Sequence, residues 1–298
     1  MGIFLGLLAA LGWGTSDFIA RDSTRVLGTF RTLYYTQFFG ALVLGGYLLF
    51  SGQFANTVTT APPLIWLVAV LNALFGASGA ILHYRAFQVG VLAIISPITA
   101  SYGAITTLMA LASGETLSYT QLLGIGIILA GIIAISMSEP PPSGSTLMSP
   151  ATGEESGKRK VPAGLWYAVG SALIYGVNFW ILGFYIVPVI GGVFPVWISR
   201  ITVILSLTIA AFLMRRSLKG PSKYILRAVI GIGALDTIAM VSSLVGTSTE
   251  QVSIVTMLSS LFSTVTVLLA WIFLKDPLNI QQKLGIVAIF VGIIFVSV

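Results

Sequence analysis

The chain has 298 residues, of which 56% are hydrophobic and only 8% charged, where an ordinary soluble domain is about a quarter charged. With a mean hydropathy of +1.00, water cannot be the solvent for most of its surface, and the composition is that of an integral membrane protein. A net charge of +6 with no nucleic-acid motif is read as a topology signal, and the absence of cysteine excludes disulfides, thiol catalysis and Cys-ligated metal.

Crossing a bilayer takes about 20 apolar residues. Ten such segments are expected, over 2–20, 32–50, 64–86, 88–112, 118–138, 163–187, 190–214, 224–246, 250–274 and 280–298. They are too long and too uniformly apolar for barrel strands, which alternate in polarity over about ten residues. No basic leader with a small-residue cleavage site precedes the first segment, so it is expected to persist as a helix.

Span 1 ends in "WGTSDFIARDSTR". Asp17 falls about 9 Å from the midpoint of the expected span, with Arg21 one helical turn later. Two readings stay open: an i,i+4 pair at the membrane edge, or a cavity-lining carboxylate on the face it shares with Trp13 and Ser16. Tyr34 opens span 2. His83, the only histidine, lies in "ILHYRAF" of span 3, as an interfacial residue beside Tyr84 and Arg85 or as a proton carrier.

In span 4, Pro97 frees a backbone carbonyl, for packing or for ligand exposure, and Tyr102 lies deep in the membrane. Glu115 follows in a short connection, as a solvated loop residue or a gate. The stretch around 138–162 is dominated by Pro, Ser, Gly and charge and is expected to be a flexible linker.

In the second half, Tyr175 and Asn178 lie near the centre of span 6, and Trp197 near that of span 7. Phe179 adds a further ring. Trp13, Tyr102, Tyr175 and Trp197 are too deep for an interfacial belt. Arg200 is the one basic residue left inside a span, where a charge costs about 2.5–3.5 kcal/mol on insertion scales. Asp236, in "GIGALDTIAM" of span 8, lies at matching depth. Either Arg200 holds a substrate carboxylate or phosphate while Asp236 takes a cation or proton, or the two form a salt bridge that only fixes packing.

The halves repeat. "QLLGIGIILAGIIAIS" (121–136) aligns with "QKLGIVAIFVGIIFVS" (282–297), placing Gly124 and Gly131 on Gly285 and Gly292. These glycines suit close helix contacts, within the chain or in a dimer. Five spans per repeat means the halves insert in opposite senses. Charge agrees: every Lys and Arg except Arg200 sits in or beside an odd-numbered connection. The positive-inside rule then makes the linker cytoplasmic and both termini external. The organisation expected is a first five-helix repeat over 1–138, a linker over 139–162 and a second repeat over 163–298. The fold class is all-α: ten transmembrane helices as two inverted five-helix repeats.

Five plus five spans, a central hydrophilic linker, "GWG" in span 1, "SGETL" after span 4 and a last helix with Gly-x6-Gly resemble the EamA family of the drug/metabolite transporter superfamily, over nearly the whole chain. The second half departs, with "LKDPL" where the family has Gly-Glu. The resemblance implies a secondary carrier of small metabolites, often an exporter, with a cavity between the repeats, and cytoplasmic termini. On this last point the charge count of this chain says the reverse.

The function expected is therefore alternating-access transport of a small polar, amino-acid-like or zwitterionic solute across the cell membrane. The substrate-binding candidates are Trp13, Asp17, Tyr34, Tyr102, Tyr175, Asn178, Trp197, Arg200 and Asp236. Asp236, Asp17 and His83 are the candidates for proton coupling. No cofactor, resident metal or nucleic-acid partner is expected. The expected partners are solute, protons and lipid, with the chain as monomer or homodimer. A receptor or scaffold is the alternative. A membrane enzyme is disfavoured, because one histidine cannot build an HExxH-type zinc site.

Overall fold

The computed structural model describes residues 1–136, 163–215, 217–274 and 279–297. The expected linker lies outside them, as do Lys275 and Asp276 of "LKDPL". Among the described residues all regular structure is helical. Nine runs are long and apolar enough to cross a membrane, and Tyr119–Ile135 is a shorter apolar tenth.

The elements are α1 (Gly2–Leu27), α2 (Thr29–Phe50), α3 (Gln53–Thr60), α4 (Pro63–Val89), α5 (Leu92–Ala100), α6 (Tyr102–Ala112), α7 (Tyr119–Ser136), α8 (Leu165–Ile181), α9 (Val187–Ile190), α10 (Phe194–Leu213), α11 (Lys223–Thr247), α12 (Val252–Ser259), α13 (Phe262–Leu274) and α14 (Ile280–Ser297). A π-helical turn, Leu182–Ile186, joins α8 to α9 just before Pro188. The short α3 was not among the expected segments.

α1 runs well past its expected end. The polar stretch after Ala20 stays helical; within it Thr24 folds its hydroxyl back on the Ala20 carbonyl at 2.8 Å, and Arg21 pairs with its neighbour Asp22 at 2.8 Å. This lengthening moves Asp17 to about 4 Å from the middle of the helix. Of the two readings left open for Asp17, the pair with Arg21 does not form.

Spans 4 and 9 are both broken at mid-length. In the first, where Pro97 left a packing kink and a broken helix both open, α5 passes through Pro97 and stops only at Ser101. Span 9 breaks between α12 and α13 with no proline at all. A serine hydroxyl competes for backbone at each break: Ser101 Oγ donates to the Ile98 carbonyl at 2.7 Å and Ser260 Oγ to that of Met257 at 2.7 Å. Tyr102 and Phe262 open the helices that resume, and their rings stack 6.3 Å apart.

The repeats are interleaved. α1 packs on α11, α12 and α13 of the second half, and α8 on α4, α5 and α6 of the first. One contact occurs twice. Gly14 on α1 lies so close to α13 that an added Cβ would meet the Phe262 carbonyl at 2.7 Å, and Thr266 donates to the Gly14 carbonyl at 3.1 Å. Gly176 on α8 lies as close to Ile105, and Thr106 donates to the Gly176 carbonyl at 3.0 Å.

The last helices of the repeats pair antiparallel within the chain. A Cβ on Gly131 would meet the Gly285 carbonyl at 2.7 Å, and one on Gly285 would meet that of Gly131 at 2.7 Å. Gly124 and Gly292 are reciprocal in the same way, each 2.8 Å from the other's carbonyl. Small residues let two backbones approach where lipid offers no hydrophobic drive for association. The expected glycine contact is thus intramolecular.

Two apolar clusters bracket the centre of the bundle. On α2 the chain passes from Leu33 in one cluster, through Gln37, to Leu44 and Leu48 in the other. α8 and the π-helical turn after it run likewise from Ala168 through Tyr175 and Asn178 to Leu182, while α4 and α10 run the opposite way, from Ile65 to Phe87 and from Phe194 to Leu207. Between the clusters lies a cavity.

Candidate functional site

The cavity has a volume of about 110 Å³ and is bounded by α1, α2, α4, α5, α6, α8, α10, α11 and α13. Of the residues singled out in the sequence, Trp13, Asp17, His83, Tyr102, Tyr175, Asn178, Arg200 and Asp236 line it. Tyr34 and Trp197 do not. Tyr34 packs beside Tyr35 at 5.4 Å, and Trp197 turns to Phe54 at 5.6 Å and Phe194 at 6.0 Å. Both sit on helices that reach the wall through other residues, so depth along the helix was informative but the side of the helix was not.

One end of the polar lining is a charge pair between α10 and α11. Arg200 Nη1 lies 2.6 Å from Asp236 Oδ2. The same nitrogen donates to Gln37 Oε1 on α2 at 2.5 Å. Trp13 Nε1 on α1 donates to the other Asp236 oxygen at 2.9 Å. Four helices thereby meet at one ion pair. Burying a charge is tolerated only when it is paired and its remaining groups are bonded, and Trp13 and Gln37 supply that second layer. Gly40 gives the arginine room, since a Cβ there would lie 2.5 Å from Thr237 Oγ1 and 3.1 Å from Arg200 Nε. Arg200 keeps two donors, Nε and Nη2, buried without a protein partner.

A second pair links α1 to α4. His83 Nε2 lies 3.3 Å from both carboxylate oxygens of Asp17, with the hydrogen bond directed at Oδ1. Both residues are buried. This pair is sparsely bonded: Asp17 Oδ2 and His83 Nδ1 have no protein hydrogen-bond partner. His83 is therefore not the interfacial residue that its neighbours Tyr84 and Arg85 suggested. Its ring packs 4.3 Å from Phe87 and 5.9 Å from Tyr175.

Aromatic rings join the two pairs. Trp13 meets Phe179 edge-on at 5.6 Å, Tyr102 stacks on Phe179 at 5.1 Å, and Phe262 lies 6.4 Å from the His83 ring. Edge-on and offset contacts are the preferred aromatic geometries. Asn178 takes part in a reciprocal bond with α4, its amide donating to the Asn72 carbonyl at 2.9 Å while the Asn72 amide donates back at 3.4 Å. Gly76, four residues on from Asn72, leaves the room, since a Cβ there would lie 2.9 Å from the Asn178 amide.

Sequence reasoning missed Gln37, which had a signal: it is the one amide side chain in "RTLYYTQFFGALVLGGYLLF". Ser199, Met240 and Phe262 also line the wall, and nothing in their local sequence marks them. Among the described residues no cluster of His, Cys, Asp and Glu is arranged to hold a metal.

The model of the EamA-like transporter family matches residues 1–137 and 162–298, which is nearly the whole chain in two copies. A relative in Methanocaldococcus jannaschii, the uncharacterized protein MJ1333.1, is 28% identical over 137 residues, covering 46% of this chain and 96% of that protein. That relative is thus about as long as one half of this chain. A solved crystal structure superposes with a TM-score of 0.75 at 19% identity, over 99% of this chain and 96% of the other; at that identity the likeness concerns the fold. With two family matches laid end to end over a helical bundle of membrane-crossing length, this multi-pass membrane protein belongs to the EamA-like transporter family.

Proposed function

We propose that the protein is a secondary carrier that moves a small polar solute, amino-acid-like or zwitterionic, by alternating access. The observation that supports this most directly is the Arg200–Asp236 pair in the cavity wall. It offers both signs of charge at one point, and Arg200 has two further buried donors. A carboxylate of the solute would bind the free side of the guanidinium, where bidentate recognition is strongest. Its cationic group would turn to Asp236 and the aromatic faces. Asp17 and His83 are the proton-coupling pair in this reading, because Asp236 already accepts from Trp13 and Arg200 whereas Asp17 is held by His83 alone. The chain would sit in the cell membrane, with the basic connections and the linker on the cytoplasmic side and export as the direction.

The test is proton flux in liposomes holding the purified protein under an imposed pH gradient. Pools of amino acids, sugars, nucleosides and polyamines are added in turn, with Asp17→Asn and Arg200→Gln alongside. Solute-dependent proton movement in the parent, lost in Asp17→Asn, supports a proton-coupled carrier. Solute exchange that persists in Asp17→Asn without proton movement keeps the carrier and the assignment of coupling. Solute movement unchanged in Arg200→Gln removes the site. No movement of any solute, with radiolabelled exchange also silent, turns the reading toward a receptor or scaffold.

A further inference from the structure

Glu115 stands in the connection between α6 and α7, at the end of the bundle where α1 begins and α11 ends. Gly114 takes φ +93, a left-handed turn that favours glycine, and the Glu115 N–H closes back on the Ala110 carbonyl at 3.1 Å. The side chain reaches across to the other repeat. Its Oε1 accepts the Val252 N–H at 2.6 Å, and its Oε2 accepts the Ser253 N–H at 3.1 Å together with the Ser253 hydroxyl. Beside it, Gln251 donates its amide to the Thr116 carbonyl at 2.7 Å. A first-repeat loop is therefore stitched to the opening turn of a second-repeat helix.

That helix is α12, whose eight residues are all buried and which ends at the break before Phe262. Phe262 is on the cavity wall. α12 thus runs from the Glu115 contact to the cavity, with a break at its inner end and a charge-assisted cap at its outer end. The cap satisfies N–H groups that a helix leaves open at its start, and a carboxylate there also complements the helix dipole. These bonds lie between elements of different repeats, so parting α12 from that loop would break them.

We infer that Glu115 is the latch of a gate: its bonds to the first turn of α12 hold the cavity closed toward the end of the bundle where α1 begins, and their release frees α12 to swing at the Ser260 break. The inference rests on the alternating-access reading and adds to it the element that moves and the residue that restrains it.

The chain has no cysteine, so a single reporter is available by substitution. Ser199→Cys places a thiol on the cavity wall. A membrane-impermeant maleimide is applied to right-side-out and to inside-out vesicles, in the Ser199→Cys protein and with Glu115→Gln or Ser253→Ala added. The expected result is slow labelling from the latched face, raised about tenfold by Glu115→Gln and less by Ser253→Ala, since bonds to a charged acceptor are the stronger ones. Hydrogen exchange over residues 252–259 is followed in the same samples. Faster exchange with labelling unchanged makes Glu115 a cap without a gating role and overturns the latch. Equal labelling from both faces in the Ser199→Cys protein overturns the latch, as does one-sided labelling insensitive to both substitutions; alternating access itself fails only if the solute flux described above is silent. If Glu115→Gln does not fold, Ser253→Ala carries the comparison.

Discussion

Arg200 and Asp236 lie 2.6 Å apart in the cavity wall, the arginine buried and the aspartate partly so, bonded on either side by Gln37 and Trp13. Removing one partner of such a pair strands the other, which costs about 3–5 kcal/mol. Arg200→Gln and Asp236→Asn are each expected to lower the thermal unfolding midpoint in detergent. The double variant is expected to recover most of that loss, because the two neutral amides satisfy one another. Additive losses in the double variant would show that the charges do not act as a pair.

Gln37 accepts from Arg200 at 2.5 Å. Gln37→Leu removes that acceptor while leaving the ion pair, at a cost of about 1.5–3 kcal/mol for a bond to a charged group. Solute affinity is expected to fall by about tenfold, with folding intact by gel filtration. Once a transported solute is in hand, binding calorimetry decides it. Unchanged affinity would make Gln37 a packing residue.

The glycine seam between α7 and α14 supplies its own control. Gly131→Ala puts a methyl group 2.7 Å from the Gly285 carbonyl, and overpacking of this kind costs about 1–3 kcal/mol. Gly126, five residues earlier on α7, has nothing within 4 Å of an added Cβ. Gly126→Ala is therefore expected to be neutral or to gain up to about 1 kcal/mol from helix propensity. The unfolding midpoint of Gly131→Ala should fall below that of the parent and that of Gly126→Ala at or above it; coincident values for the two variants would refute the close approach.

Thr106→Val and Thr266→Val remove matching hydroxyl bonds to the Gly176 and Gly14 carbonyls. Each interhelical bond in a bilayer is worth about 0.6 kcal/mol and at most about 2. The two substitutions are expected to cost the same within error, since they occupy equivalent places in the interleaved halves. A clear inequality would show that the halves do not bear equal load.

Much of the fold was legible because lipid imposes a single rule, that every backbone polar group be bonded within the segment. Ten apolar runs and a repeated Gly-x6-Gly sufficed for the ten helices and the two halves. Arg200 and Asp236 were legible for the same reason, since a charge that deep needs a cavity or a partner. The partners of Asp17 were not. Sequence distance favoured Arg21 four residues away, while the helix ran on for two more turns and turned Asp17 toward His83, 66 residues away. The break in span 9 was hidden as well, because serines there act through their hydroxyls and leave no proline behind. Trp197 and Tyr34 show the remaining gap: in a helix apolar nearly all round, periodicity does not say which face meets the cavity and which meets a neighbour.

The interleaving of α1 and α8 has a consequence for motion. A repeat and a rigid body are different things in this protein, because each repeat's opening helix is seated in the other's wall. In the alternating-access reading the blocks that would shift against each other are mixed: α1 would travel with α11 and α13, and α8 with α4, α5 and α6, while α12 packs on both α1 and α6. The two charge pairs fall differently with respect to that division. Asp17 and His83 bridge the blocks, whereas Trp13 and Asp236 ride together in one of them. A proton lost or gained at the first pair would then be felt directly as adhesion between the blocks, while the Trp13–Asp236 contact is carried along intact.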